Sequence, residues 1–250
     1  MARKTIRRWR WALFGLGALI AGGAGAVALA EPAVAALVCP SCYGFAAIGP
    51  RLYADPAMSE EARVMLRRTV AEAPARLALF FGSAASTPMV LACASTACQT
   101  RIRGGGARGM AYGSFGLRLS PAGLDPTIVV HEMTHMELAA HLGLRRTAAG
   151  SVPAWFDEGV AVIVSDDARY LDHDAEGAPR CRTGLDGPVP DDPRAFRHSA
   201  LAATPLYSRA ACRVLTWMNA TGGPPAVGRL VDAVARGERF ADLYEDKGGW

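Results

Sequence analysis

No heptad pattern, no Gly-X-Y period and no internal repeat runs through this sequence, so neither a coiled coil nor a collagen-like chain is possible. Charge is scarce: 20% of the 250 residues are charged and 51% are hydrophobic, the reverse of what intrinsic disorder requires. A basic surplus is missing from the body of the chain. Of 27 Lys and Arg residues, five (Arg3, Lys4, Arg7, Arg8 and Arg10) lie in the first ten positions, and the remaining 22 face 23 acids. A nucleic-acid binder spreads its basic residues over the folded domain, so that class is set aside and no nucleic-acid partner is expected. Cys39-Pro-Ser-Cys42 has no second CxxC to complete a four-ligand zinc site, and it lacks the strand-then-helix setting of a thioredoxin-type motif. Gly104–Gly106 lacks the spacing of a phosphate loop.

What is present begins with the basic tail, residues 1–11, followed by an apolar stretch from Ala12 to Val38 broken only by Glu31. About 20 apolar residues suffice to cross a bilayer, and basic residues stay on the cytoplasmic side. Residues 12–38 are therefore expected to be a transmembrane anchor or a signal segment cleaved after Ala28-Leu29-Ala30. The extra length of Ala33–Val38 favours the anchor. Both readings place the domain outside the cytoplasm, secreted if the segment is cleaved. Six cysteines in an exported chain read as disulfides: Cys39 with Cys42, Cys93 with Cys98, and Cys181 with Cys212.

Residues 39–86 read as a Cys-containing linker and helical region, with a helix capped by Ser59, interrupted or kinked at Pro74 and ended at Gly82. Strands are expected at Pro88–Ala92 and Met110–Leu119. Asp125-Pro126 opens a helix that should stop at Gly143, and Ser151-Val152-Pro153 opens another that runs through Val164. After a proline-rich loop at Pro188–Pro193 come helices over Leu206–Asn219 and Pro225–Arg236.

The chemistry lies in His131-Glu132-Met133-Thr134-His135. Two His four residues apart stand about 40° apart around a helix, so both rings reach one point, the way a helix offers two nitrogens to zinc. Glu132, beside the first His, is placed to act on water at the metal rather than to bind the metal. Composition alone produces HExxH about 0.004 times in a chain of this length, so a solvated polar turn is the poorer explanation. Catalytic zinc takes three protein ligands. His141 has metzincin-like spacing, but Leu138 stands where that pattern has Gly. A continuing helix turns His141 about 80° and 120° off the other two rings. Glu158 is the better third ligand: a carboxylate among Trp155, Phe156, Val160 and Ala161 needs a partner. Gly159 beside it points to close approach of another backbone.

HEMTH followed 23 residues later by the Glu of Trp155-Phe156-Asp157-Glu158-Gly159-Val160-Ala161 resembles the gluzincin metallopeptidases, in particular the peptidase MA-like group, over Thr87–Ala241. The resemblance implies an α+β, zincin-like domain over 87–250 with a small twisted sheet, an active-site helix and a glutamate helix. It implies a zinc metallopeptidase acting on peptide or protein substrates. Zn2+ would be held by His131, His135 and Glu158, with Glu132 as the base and Tyr207 as a donor to the developing oxyanion; His198 is the alternative donor. Asp157 is a candidate to orient a ligand His, and no chemistry is assigned to Asp166 or Asp167. An extended substrate is expected to add to the strand at Met110–Leu119, unless that strand is paired on both sides. The competing readings are a zincin-fold domain without turnover, binding a partner or holding zinc structurally, and an exported CxxC redox protein.

Overall fold

The computed structural model describes residues 31–182, 187–201 and 205–245. Helix α1 (Pro32–Val38) leads through a 3-10 turn into strands β1 (Ala46–Gly49) and β2 (Leu52–Ala54), then the long helix α2 (Glu60–Phe81) and strand β3 (Met89–Ala92). Helix α3 (Thr96–Arg101) precedes strands β4 (Gly109–Tyr112) and β5 (Gly116–Leu119). The remainder is mainly helical: α4 (Pro126–Ala148), α5 (Ala154–Ser165), a minor pair β6 (Asp172–His173) and β7 (Pro179–Arg180), then α6 (Pro193–Leu201), α7 (Leu206–Ala220), α8 (Pro225–Arg236) and α9 (Phe240–Glu245). The architecture is mixed α+β, with a small five-stranded sheet beside the β6–β7 pair.

The sheet runs in the order β1-β2-β3-β5-β4. Strands β2, β3 and β5 are parallel, and the edges β1 and β4 are antiparallel to their neighbours. Alternation along the central strands sends Leu52, Ala54, Val90, Ala92, Leu117 and Leu119 to one face, where they join the main core with α2, α4 and the C-terminal helices. Tyr53 and Leu91 point the other way, into a smaller cluster with Ala33, Ala36 and Leu37 of α1 and Cys98 and Ile102. Two covered faces explain why Met89-Val90-Leu91-Ala92 is an uninterrupted apolar run.

Several sequence expectations change here. Met110–Leu119 is not one strand but the hairpin β4–β5, because Gly113 turns at φ 55° between Tyr112 and Phe115. Residues 39–86 do not stand apart as a linker: β2 pairs with β3, and α2 contributes Leu66, Leu77 and Phe81 to the main core. Residues 32–38, counted above with the membrane segment, form α1 on the sheet, with Leu37 so close to Gly116 that a Cβ there would lie 2.6 Å from it. The rest of the anchor or signal expectation falls on residues outside the described part. No helix among the described residues is long and apolar enough to cross a membrane. Pro74 is accommodated inside α2. Gly143 (φ 73°, ψ 160°) breaks α4 as expected, though helix resumes to Ala148. The three disulfides pair as anticipated.

Candidate metal centre

Helix α4 starts where Asp125 accepts hydrogen bonds from the backbone N–H groups of Thr127 and Ile128. Ile128, Val129 and Val130 bury its first turn and fix its rotation, which turns the next stretch toward α5. Helix α5 is apolar almost throughout and lies between α4 and α7. A Cβ on Gly159 would come within 2.5 Å of the Ala210 carbonyl oxygen on α7, so the absent side chain is what permits this approach. Glu158, the neighbour of that glycine, meets the His rings of α4.

His131 Nε2 and His135 Nε2 are 3.1 Å apart, and Glu158 Oε2 is 3.4 Å from the first and 3.6 Å from the second. Three donor atoms on a tetrahedral zinc, at bond lengths of about 2.0–2.1 Å, sit about 3.3–3.4 Å from one another. The side chains are 12–20% exposed. Glu158 Oε2 is buried without a hydrogen-bond partner in the protein, a condition too costly for a carboxylate unless something else satisfies it. The two imidazoles and the carboxylate can hold a metal ion, and their donor set suits it.

The electrostatics agree with that reading. Burial opposes charge on His135, but the carboxylates of Asp157 and Glu158 outweigh it and raise its pKa well above the ordinary value. Burial also opposes charge on Glu158, yet the two imidazoles hold its carboxyl far below the usual range. A field that binds a proton so firmly between these groups also attracts a divalent cation. Asp157 Oδ1 accepts from His135 Nδ1–H at 2.7 Å, which leaves Nε2 as the nitrogen turned toward His131 and Glu158. His131 Nδ1 is buried with no such partner.

Glu132 is 8% exposed and lies against β4. A Cβ on Gly109 would fall 2.5 Å from Glu132 Oε1. Burial outweighs the nearby imidazoles and raises the Glu132 carboxyl above its ordinary range. Tyr207, on α7, stacks on Tyr170 with ring centroids 4.9 Å apart and meets Phe196 edge-on. Burial, then the charges of Glu158, Tyr170 and Glu132, push its hydroxyl pKa upward, so it stays a protonated donor.

His131, His135, Glu158, Glu132 and Asp157 are thus gathered, with Tyr207 within their electrostatic reach. His141 is not part of the group: its Nδ1 is 3.0 Å from Asp232 and its Nε2 is 3.2 Å from Glu137. His198 is exposed on α6. Sequence reasoning passed over Gly109 and over Asp167, which is 2% exposed and bonded by the Arg169 guanidinium on the loop after α5. Gly109 has no local signal, since it meets Glu132 across elements distant in sequence; the partner of Asp167 is only two residues on. No family model, no curated protein and no solved structure matches this chain.

Proposed function

We propose that the chain is a zinc-dependent hydrolase of peptide bonds, similar in plan to the gluzincin metallopeptidases. The observation that carries this reading is the tetrahedral spacing of His131, His135 and Glu158 around an otherwise unsatisfied carboxylate oxygen, with Glu132 buried alongside. Zinc bound there supplies a Lewis acid for the substrate carbonyl and brings the pKa of water toward 7.

Glu132 then takes the proton from the attacking water and delivers it to the amine as the C–N bond breaks, while the water oxygen enters the new carboxyl group. Its raised pKa suits a base that must also release the proton. Tyr207 donates its hydroxyl hydrogen to the carbonyl oxygen as charge gathers there. An extended peptide adds along the outer edge of β4, which has no strand partner among the described residues; β5 is paired on both sides and offers no edge. Three disulfides favour an oxidising compartment, in keeping with a domain exported behind the N-terminal segment and either anchored through it or released.

The test is Glu132→Gln in the full chain. Cleavage of unfolded protein substrates should vanish while one zinc per chain remains. Loss of zinc and of folding together would favour a structural site, and activity surviving the substitution would contradict the assigned base.

A further inference from the structure

A cavity of about 260 Å³ lies between the end of α4, the start of α5 and α6, with Glu158 in its lining. Ligand pockets for drug-sized molecules run to about 300–1,000 Å³, so this one has room for a single amino-acid side chain or chain end. Asp157 and Glu158 form its inner wall, and Leu138, Leu142 and Phe196 give it an apolar lining. Arg146 and Arg197 stand on its wall as well.

The four charged groups are not equivalent. Asp157 is bonded to His135, and Glu158 turns its Oε2 to the imidazoles, so both acids are committed to the metal centre. Neither arginine has an acidic partner among the described residues. Both stand on packed helices, with the Arg197 side chain exposed. The Arg146 guanidinium lies beside Gly237 at the C-terminal end of α8, where a Cβ would come within 3.0 Å of it. Arg197 follows the fully buried Phe196 on α6. That helix is capped by Asp192 and tied to α5 through Asp191, which accepts from Trp155 Nε1 at 2.8 Å and from the Ala154 N–H.

From these observations we infer that the cavity binds a carboxylate of the substrate, its stem against the leucines and its oxygens on Arg146 and Arg197. The carboxylate is either an acidic side chain next to the scissile bond or the free C-terminus of the peptide; guanidinium groups recognise both by the same charge-assisted hydrogen bonds. This inference rests on the hydrolase reading for its biological sense, although binding tests it separately.

Two peptide pairs distinguish the sources: Glu against Gln beside the cleaved bond, and a free against an amidated C-terminus. With the zinc-loaded full chain, the carboxylate member of one pair should be cleaved with kcat/KM about tenfold or more above its neutral twin, the range of a charge-assisted bond. The ratio should approach one in Arg146→Gln/Arg197→Gln, and fall in Arg197→Gln alone, where the exposed position spares the fold. The same preferences should appear as affinities for zinc-loaded Glu132→Gln protein, read by calorimetry. A binding preference lost in the arginine variants without any cleavage would uphold the cavity and overturn the hydrolase. Cleavage or binding with no carboxylate preference, or a preference unchanged in the double variant, would overturn the cavity assignment.

Discussion

The carboxylate of Asp157 lies 2.7 Å from His135 Nδ1, one position before the Glu158 that shares the metal site with the same His. One turn of α5 therefore carries both a candidate ligand and the group placed to orient another. Replacing Asp157 by Asn keeps the shape but removes the charge that fixes the tautomer. Zinc affinity should fall about 10–100-fold, measured by competition with a chromophoric chelator. An unchanged affinity would deny Asp157 any role at the metal.

Gly109 and Glu132 form a second such relationship across β4 and α4. Any side chain at 109 must displace the Glu132 carboxylate. Gly109→Ala should reduce kcat about 100-fold, the effect of roughly 1 Å of misplacement, while zinc stoichiometry stays at one. A variant as active as the parent would show that Glu132 need not lie where it does.

Gly159→Ala should destabilise the fold by about 1–3 kcal/mol, because the added methyl meets the Ala210 carbonyl and forces α5 from α7. Denaturant unfolding of the zinc-free protein checks this. Zinc affinity should decline with it, since Glu158 moves with its neighbour.

The acid limb of stability should depend on Asp167. Burial would raise its pKa, but bonds from the Arg169 guanidinium and N–H outweigh that and lower it below the ordinary carboxylate range. A carboxyl depressed in the folded state adds stability that is present above its unfolded pKa, about 3.9, and lost as pH falls through the lower folded value. Asp167→Asn should therefore be less stable than the parent at neutral pH and show a smaller loss of stability from about pH 5 downward. Urea midpoints across that range provide the measurement; parallel curves would contradict the assignment.

Much of the site was legible because its parts are local. His131, Glu132 and His135 share one helical turn, and Glu158 stood out as an acid in an apolar helix. Gly159 signalled a close neighbour, and Ala210 is that neighbour. What lay hidden depends on tertiary contacts. The hairpin at Gly113 was masked by β-formers on both sides. Glu137 looks like an ordinary helix acid, yet it is fully buried and accepts from the Ala85 and Ser86 N–H groups and the Ser86 hydroxyl, tying the loop before β3 to α4. His141, one turn on, also faces this carboxylate, but the hydrogen-bond donors to it lie some 50 positions away, which no helical periodicity reveals. Residues 32–38 were apolar enough to pass for the end of a membrane segment; the sheet face they cover has no trace in their own sequence.

Metal content of the purified full chain, set against His135→Ala and Glu158→Ala, tests the three-ligand centre most directly. One zinc per chain is expected in the parent, with both substitutions weakening binding severely while far-UV circular dichroism is preserved. A parent that takes up no divalent ion, or a Glu158→Ala protein that holds zinc as tightly as the parent, would contradict the three-ligand centre.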